Sequence, residues 1–125
     1  MRLLLDTHVL LWWLNNPAHL DPAAQAAIGD GGNEVLVSAA SIWEVAIKRS
    51  TRRLSIPMPL TSTLVKAGIL ELPIGWNHTR RVARLPNHHG DPFDRILVAQ
   101  AIEERLVLVT RDPLVHQYAV STLAA

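Results

Sequence analysis

The opening stretch MRLLLDTHVLLWWL (1–14) decides how the rest of the chain is read. Leu3–Leu5 form a short continuous apolar run, the pattern of a strand buried on both faces. From His8 to Asn15 the apolar residues run on at helical length, and Asn16-Pro17 stops them. Asp6 stands between the two runs. A bare carboxylate there is too costly to bury, so it must be solvated, hydrogen-bonded or bound to a cation.

Working outward, the same alternation repeats. Strands are expected at 2–5, 34–38, 69–73 and 106–110, with a last edge strand at 120–123. Helices are expected at 8–15, 21–29, 41–50, 60–68, 77–85, 91–105 and 113–119. Strands alternating with helices predict an α/β fold, a three-layer α/β/α sandwich around a central parallel sheet. The 125 residues suit one domain spanning 1–125, with no repeat, linker or low-complexity tract.

Composition narrows the class. Apolar residues make up 49% and charged residues 18%, as in an ordinary globule, and the net charge of +1 neither demands nor excludes nucleic acid. The chain has no cysteine, which excludes disulfides, thiolate zinc sites and Cys nucleophiles. No apolar run approaches the length of a membrane span, and Asp6 and His8 break the only stretch resembling a signal peptide. A cytoplasmic protein without a membrane partner is expected.

Ligands of parallel sheets collect at the carboxyl ends of the strands. Six of the eleven carboxylates read as surface or cap residues: Asp21, Asp30, Glu34, Glu71, Glu103 and Glu104. The other five, Asp6, Glu44, Asp91, Asp94 and Asp112, sit at strand ends or early in helices. Each has a cap reading: SIWE (41–44) is a capping-box pattern with Ser41 at N-cap, DPFD (91–94) puts Asp91 at N-cap, and Asp112-Pro113 repeats Asp21-Pro22. Caps explain each residue singly. They do not explain several carboxylates at one sheet edge, which would raise one another's pKa. A hard divalent cation, Mg²⁺ or Mn²⁺, resolves that conflict and suits phosphate hydrolysis.

Four segments carry a resemblance: LLLDTHVLLWWL (3–14), VSAASIWEVAIK (37–48), HHGDPFDRILVAQA (88–101) and LVTRD (108–112). In this order and spacing the chain resembles PIN-domain ribonucleases, and among them the VapC-type toxins of toxin–antitoxin pairs. The resemblance implies a PIN-like fold and an acidic site of Asp6, Glu44, Asp94 and Asp112 holding one or two Mg²⁺ or Mn²⁺. It also implies hydrolysis of RNA by an activated water, a cognate antitoxin, a homodimer, and Thr110 beside the fourth carboxylate. The chain departs from the pattern after the WEVAIK helix, where RSTRRL (49–54) replaces a glycine-containing turn. Two rivals stand beside this reading: a receiver-like signalling domain, and a non-catalytic domain whose acids are all caps.

Further residues divide. Asp91 reads as a cap rather than an outer ligand. Lys48 reads as an i,i+4 partner of Glu44 rather than a phosphate contact. Arg95 could hold a carboxylate or a phosphate. Arg49, Arg52 and Arg53 form one basic group and Arg80, Arg81 and Arg84 another; each either follows an RNA backbone or is a solvated face. His88 and His89 have a metal role open to them but are not needed by a carboxylate site, and His8 either approaches substrate or makes a local hydrogen bond. Trp12, Trp13 and Trp43 mark two-sided burial, an interface or a surface on which RNA bases stack.

Overall fold

A computed structural model describes residues 1–50 and 59–125. The apolar run at the N-terminus becomes β1 (Arg2–Leu5), followed by α1 (Thr7–Asn15), α2 (Pro22–Gly29), β2 (Glu34–Ser38), α3 (Ala39–Ser50) and α4 (Leu60–Lys66). Then come β3 (Leu70–Leu72), α5 (Trp76–Arg84), α6 (Pro92–Glu104), β4 (Val107–Thr110) and β5 (Thr122–Ala124). The five strands form one sheet in the order β3-β2-β1-β4-β5, and every pairing is parallel. β1 is central, which is why its three leucines are buried on both faces.

The period of two sorts side chains into two cores. Leu3, Leu5, Val35, Val37 and Val109 pack with α1, α2 and α4 on one face. Leu4, Leu36 and Leu108 pack with Leu97, Val98 and Ala101 of α6 on the other. The result is the expected three-layer sandwich. Because all strands are parallel, Leu5, Ser38, Leu72 and Thr110 finish at the same edge.

Two expectations about local structure fail. α3 begins at Ala39, directly after β2, so Ser41 is not its cap and SIWE is not a capping box. Ser38 Oγ instead accepts from the Ala40 N–H at 3.0 Å, and the buried Ser41 hydroxyl accepts from Thr7 Oγ1. The segment 113–119 forms only a 3₁₀ turn at Val115–Gln117. Tyr118 there is extended and turns inward, where its hydroxyl meets the loop before α6. Arg52, Arg53 and the turn after the WEVAIK helix lie outside the described residues. No described helix is long and apolar enough to cross a membrane.

Candidate metal centre

Asp6 follows the last residue of β1 and caps α1. One carboxylate oxygen accepts from the Val9 N–H at 2.7 Å, and the other accepts from Thr110 Oγ1 at 2.5 Å. Cap and site residue are therefore the same group. Thr110 ends β4, the strand beside β1, and its hydroxyl oxygen also accepts from the Asp112 N–H at 3.1 Å. One threonine thus ties together carboxylates 106 positions apart in sequence. Burial pushes the pKa of Asp6 up, against the pull of its two hydrogen bonds.

Asp94 comes from the first turn of α6, whose cap is Asp91: its Oδ1 accepts from the Phe93 N–H at 2.8 Å. The cap reading of Asp91 holds. For Asp94 it does not, because its carboxylate meets His89 Nε2 at 3.1 Å. Burial, then the charge of Asp91, with smaller contributions from Asp6 and Asp112, raises the Asp94 pKa to about 7 against the pull of His89. Asp112 accepts from the Leu114 N–H at 2.9 Å and from His89 Nε2 at 2.7 Å.

His89 is the residue to which sequence reasoning allowed a metal role without counting it in the site. Its Nδ1 accepts from the Asp91 N–H at 3.0 Å, which assigns the proton to Nε2. That N–H lies between Asp94 and Asp112 and faces both carboxylates. His89, Asp94 and Asp112 offer ligand atoms within 4.8 Å of one another, the metal-capable cluster found among the described residues. The only sequence signal was its place two residues before the DPFD cap; loop residues carry no periodicity to read. His88 stays outside, edge-on to the Tyr118 ring.

The remaining calls separate. Glu44 pairs with Lys48 at 3.2 Å on α3, so the i,i+4 reading of Lys48 holds, and Glu44 is not among the clustered atoms. Arg95 is engaged by groups of the chain itself. Its guanidinium donates to the carbonyls of Val82 and Pro86 and to the Tyr118 hydroxyl, and Tyr118 in turn accepts from the His89 N–H. This clasp fixes the end of α5, the His89 loop and the start of α6 as one unit. Arg111 lies over the Trp12 ring at 4.4 Å and donates to the carbonyls of His19 and Ala125. His8, Trp12, Arg111 and Pro113 line an open cleft with Asp6, Asp94 and Asp112. Trp12 and Trp13 are half-buried against the α1 core, whereas Trp43 is exposed beside Phe93.

Residues 3–120 match the family model described as PIN domain. The chain belongs to the PIN-domain family. It is 35% identical over 112 residues to Ribonuclease VapC22 of Mycobacterium tuberculosis (strain ATCC 25618 / H37Rv), covering 87% of this chain and 85% of that protein. Two solved structures share the PIN fold. One is VapBC2 from Rickettsia felis bound to a DNA fragment from its promoter, with TM-score 0.74, 12% identity, and coverage of 99% of this chain and 98% of that one. The other is a toxin–antitoxin complex from Klebsiella pneumoniae, with TM-score 0.61, 20% identity, and coverage of 87% and 85%. The receiver-like alternative is overturned by topology as well. A receiver has the strand order 2-1-3-4-5, whereas this sheet runs β3-β2-β1-β4-β5.

The donor chemistry fits a divalent cation. Burial and neighbouring carboxylates raise the pKa values of Asp6 and Asp94, a conflict that a cation relieves, and His89, Asp94 and Asp112 offer it two carboxylates and one imidazole.

Proposed function

We propose that this PIN-domain chain is a Mg²⁺- or Mn²⁺-dependent endoribonuclease, the toxin of a toxin–antitoxin pair. The observation that carries the reading is the gathering of Asp6, Asp94 and Asp112 at one sheet edge, with two of the three held at raised pKa. The 35% identity to a protein named as a ribonuclease supports RNA as substrate, and the similarity to toxin–antitoxin complexes supports a cognate antitoxin. A homodimer belongs to the same reading.

Asp6, Asp94 and Asp112 would hold the ion, with Glu44 as a further ligand or as the group that positions water. When bound, the ion supplies water activation and charge neutralisation at the phosphate. The chain's own residues set the stage. Thr110 and the Val9 N–H fix both oxygens of Asp6. Arg95 and Tyr118 hold the loop that carries His89. An open cleft lined by His8, Trp12 and Arg111 lies beside these carboxylates.

Mn²⁺ calorimetry on the antitoxin-free chain tests the site, comparing wild type with Asp6→Asn, Asp94→Asn and the surface control Asp21→Asn. Binding by wild type and control, and its loss in the two site variants, is expected, followed by Mn²⁺-dependent RNA cleavage. Folded wild type that neither binds Mn²⁺ nor cleaves RNA in its presence would overturn the reading.

A further inference from the structure

The sequence places Arg80, Arg81 and Arg84 in one basic group, and the structure divides it. Arg81 turns toward α6 and donates to Glu103 through two nitrogens, at 2.9 and 2.7 Å. His78, on the side of α5 opposite Trp76, is buried and bonded to Glu104. The outward face of α5 is left with Trp76, Thr79, Arg80, Ala83 and Arg84, all exposed. Trp76, Arg80 and Arg84 recur every four residues, so they form one stripe about 12 Å long. Trp76 is 85% exposed, the most exposed large apolar side chain among the described residues. The face carries no carboxylate, and neither Arg80 nor Arg84 has an acidic partner among the described residues.

The stripe also points somewhere. Arg95, the neighbour of Asp94, donates to the carbonyls of Val82 and Leu85 in and after the last turn of α5. The Arg84 end of α5 therefore lies toward the start of α6, the end that carries Asp94, and the Trp76 end lies two turns away. An indole needs water excluded from its face, and guanidiniums need phosphates; one ligand meets both needs in alternation. A single-stranded nucleic acid stacks bases on aromatic rings while its backbone follows cations.

We propose that the Trp76–Arg80–Arg84 face of α5 is a single-stranded RNA track that leads substrate to the acidic cluster. It rests on the ribonuclease reading, and its test is arranged so that the two can fail separately.

All proteins in the binding test carry Asp94→Asn to prevent cleavage. Binding of a mixed-sequence, fluorescein-labelled single-stranded RNA is followed by anisotropy across a salt series. Arg80→Gln with Arg84→Gln should weaken binding and make the log–log salt slope shallower by about 1.4, at about 0.7 per phosphate contact. Trp76→Ala should weaken binding about fivefold or more at fixed salt and leave the slope unchanged. Thermal melts check that these exposed changes leave the fold intact. Unaltered affinity and slope in the variants would overturn the track, as would an absence of salt-sensitive RNA binding in the Asp94→Asn parent. Loss of antitoxin binding with RNA binding retained would overturn it too, and would make the face a protein interface. Cleavage of the same RNA by the otherwise wild-type chain in Mn²⁺ is scored on its own; its absence counts against the nuclease reading.

Discussion

Replacing Asp94 by asparagine should make the metal-free protein more stable while removing its metal site. The folded pKa of Asp94 is raised to about 7 from 3.8. Below pH 3.8 the carboxyl is protonated in both the folded and unfolded chain, and folding costs nothing extra. As pH rises above 3.8 the unfolded chain releases its proton while the fold retains it, so stability falls until pH passes about 7 and then levels. A shift of about three units corresponds to about 4 kcal/mol, at 1.36 kcal/mol per unit. Asparagine does not titrate, relieves the repulsion from Asp91, and still pays part of the burial cost. A gain of about 2–4 kcal/mol over wild type is therefore expected at pH 8, shrinking toward zero near pH 4. Urea unfolding in EDTA, across pH 4 to about 8, measures the difference. Mn²⁺ at about a thousand times its Kd should cancel or reverse the difference at pH 8, because it adds about 4.1 kcal/mol to the protein that binds it. A difference that does not change with pH, or an Asp94→Asn protein less stable than wild type at pH 8, would refute the reasoning.

Three more outcomes follow from the same contacts. Thr110→Val removes the hydroxyl that bonds Asp6 and receives the Asp112 N–H, so urea unfolding should show a loss of about 1–3 kcal/mol together with weaker Mn²⁺ binding by calorimetry. His89→Ala leaves Asp94 and Asp112 facing each other with no N–H between them; the melting temperature in EDTA at pH 8 should drop, and saturating Mn²⁺ should narrow the gap to wild type. Arg95→Gln loosens the clasp on the α5 carbonyls and Tyr118, so stability should fall; the salt slope of RNA binding should stay unchanged, since Arg95 is spent within the protein.

Much of this was legible in the sequence because the signals were local. Leu3–Leu5 read as a buried strand because nothing polar interrupts them, and β1 is indeed the middle strand. The DPFDRILVAQA helix announced itself through Asp91 and Pro92. Asp6, Asp94 and Asp112 were legible as strand-end and helix-start carboxylates. What escaped depends on contacts across the fold. SIWE mimics a capping box, but β2 passes into α3 without a loop and puts Ser41 inside the helix. The hold of Arg95 on the α5 carbonyls shows only when the end of α5 is laid beside it. His89 becomes part of the site only when α6 and the end of β4 converge, and no local pattern encodes that meeting. Glu44 remains an expectation from resemblance; its visible partner is Lys48.

The bond between Thr110 and Asp6 joins residues 104 apart in the chain. β1 pairs with β4, which is made about a hundred residues later. During synthesis, Asp6 therefore waits without Thr110 or Asp112 until β4 has emerged, because a nascent chain extends from its N-terminus. No shorter intermediate can assemble the carboxylate set. A chain stopped at Arg105 should show no Mn²⁺ binding by calorimetry, whatever partial structure it forms. The carboxylate set is thus a product of long-range pairing, assembled only when β4 has joined β1.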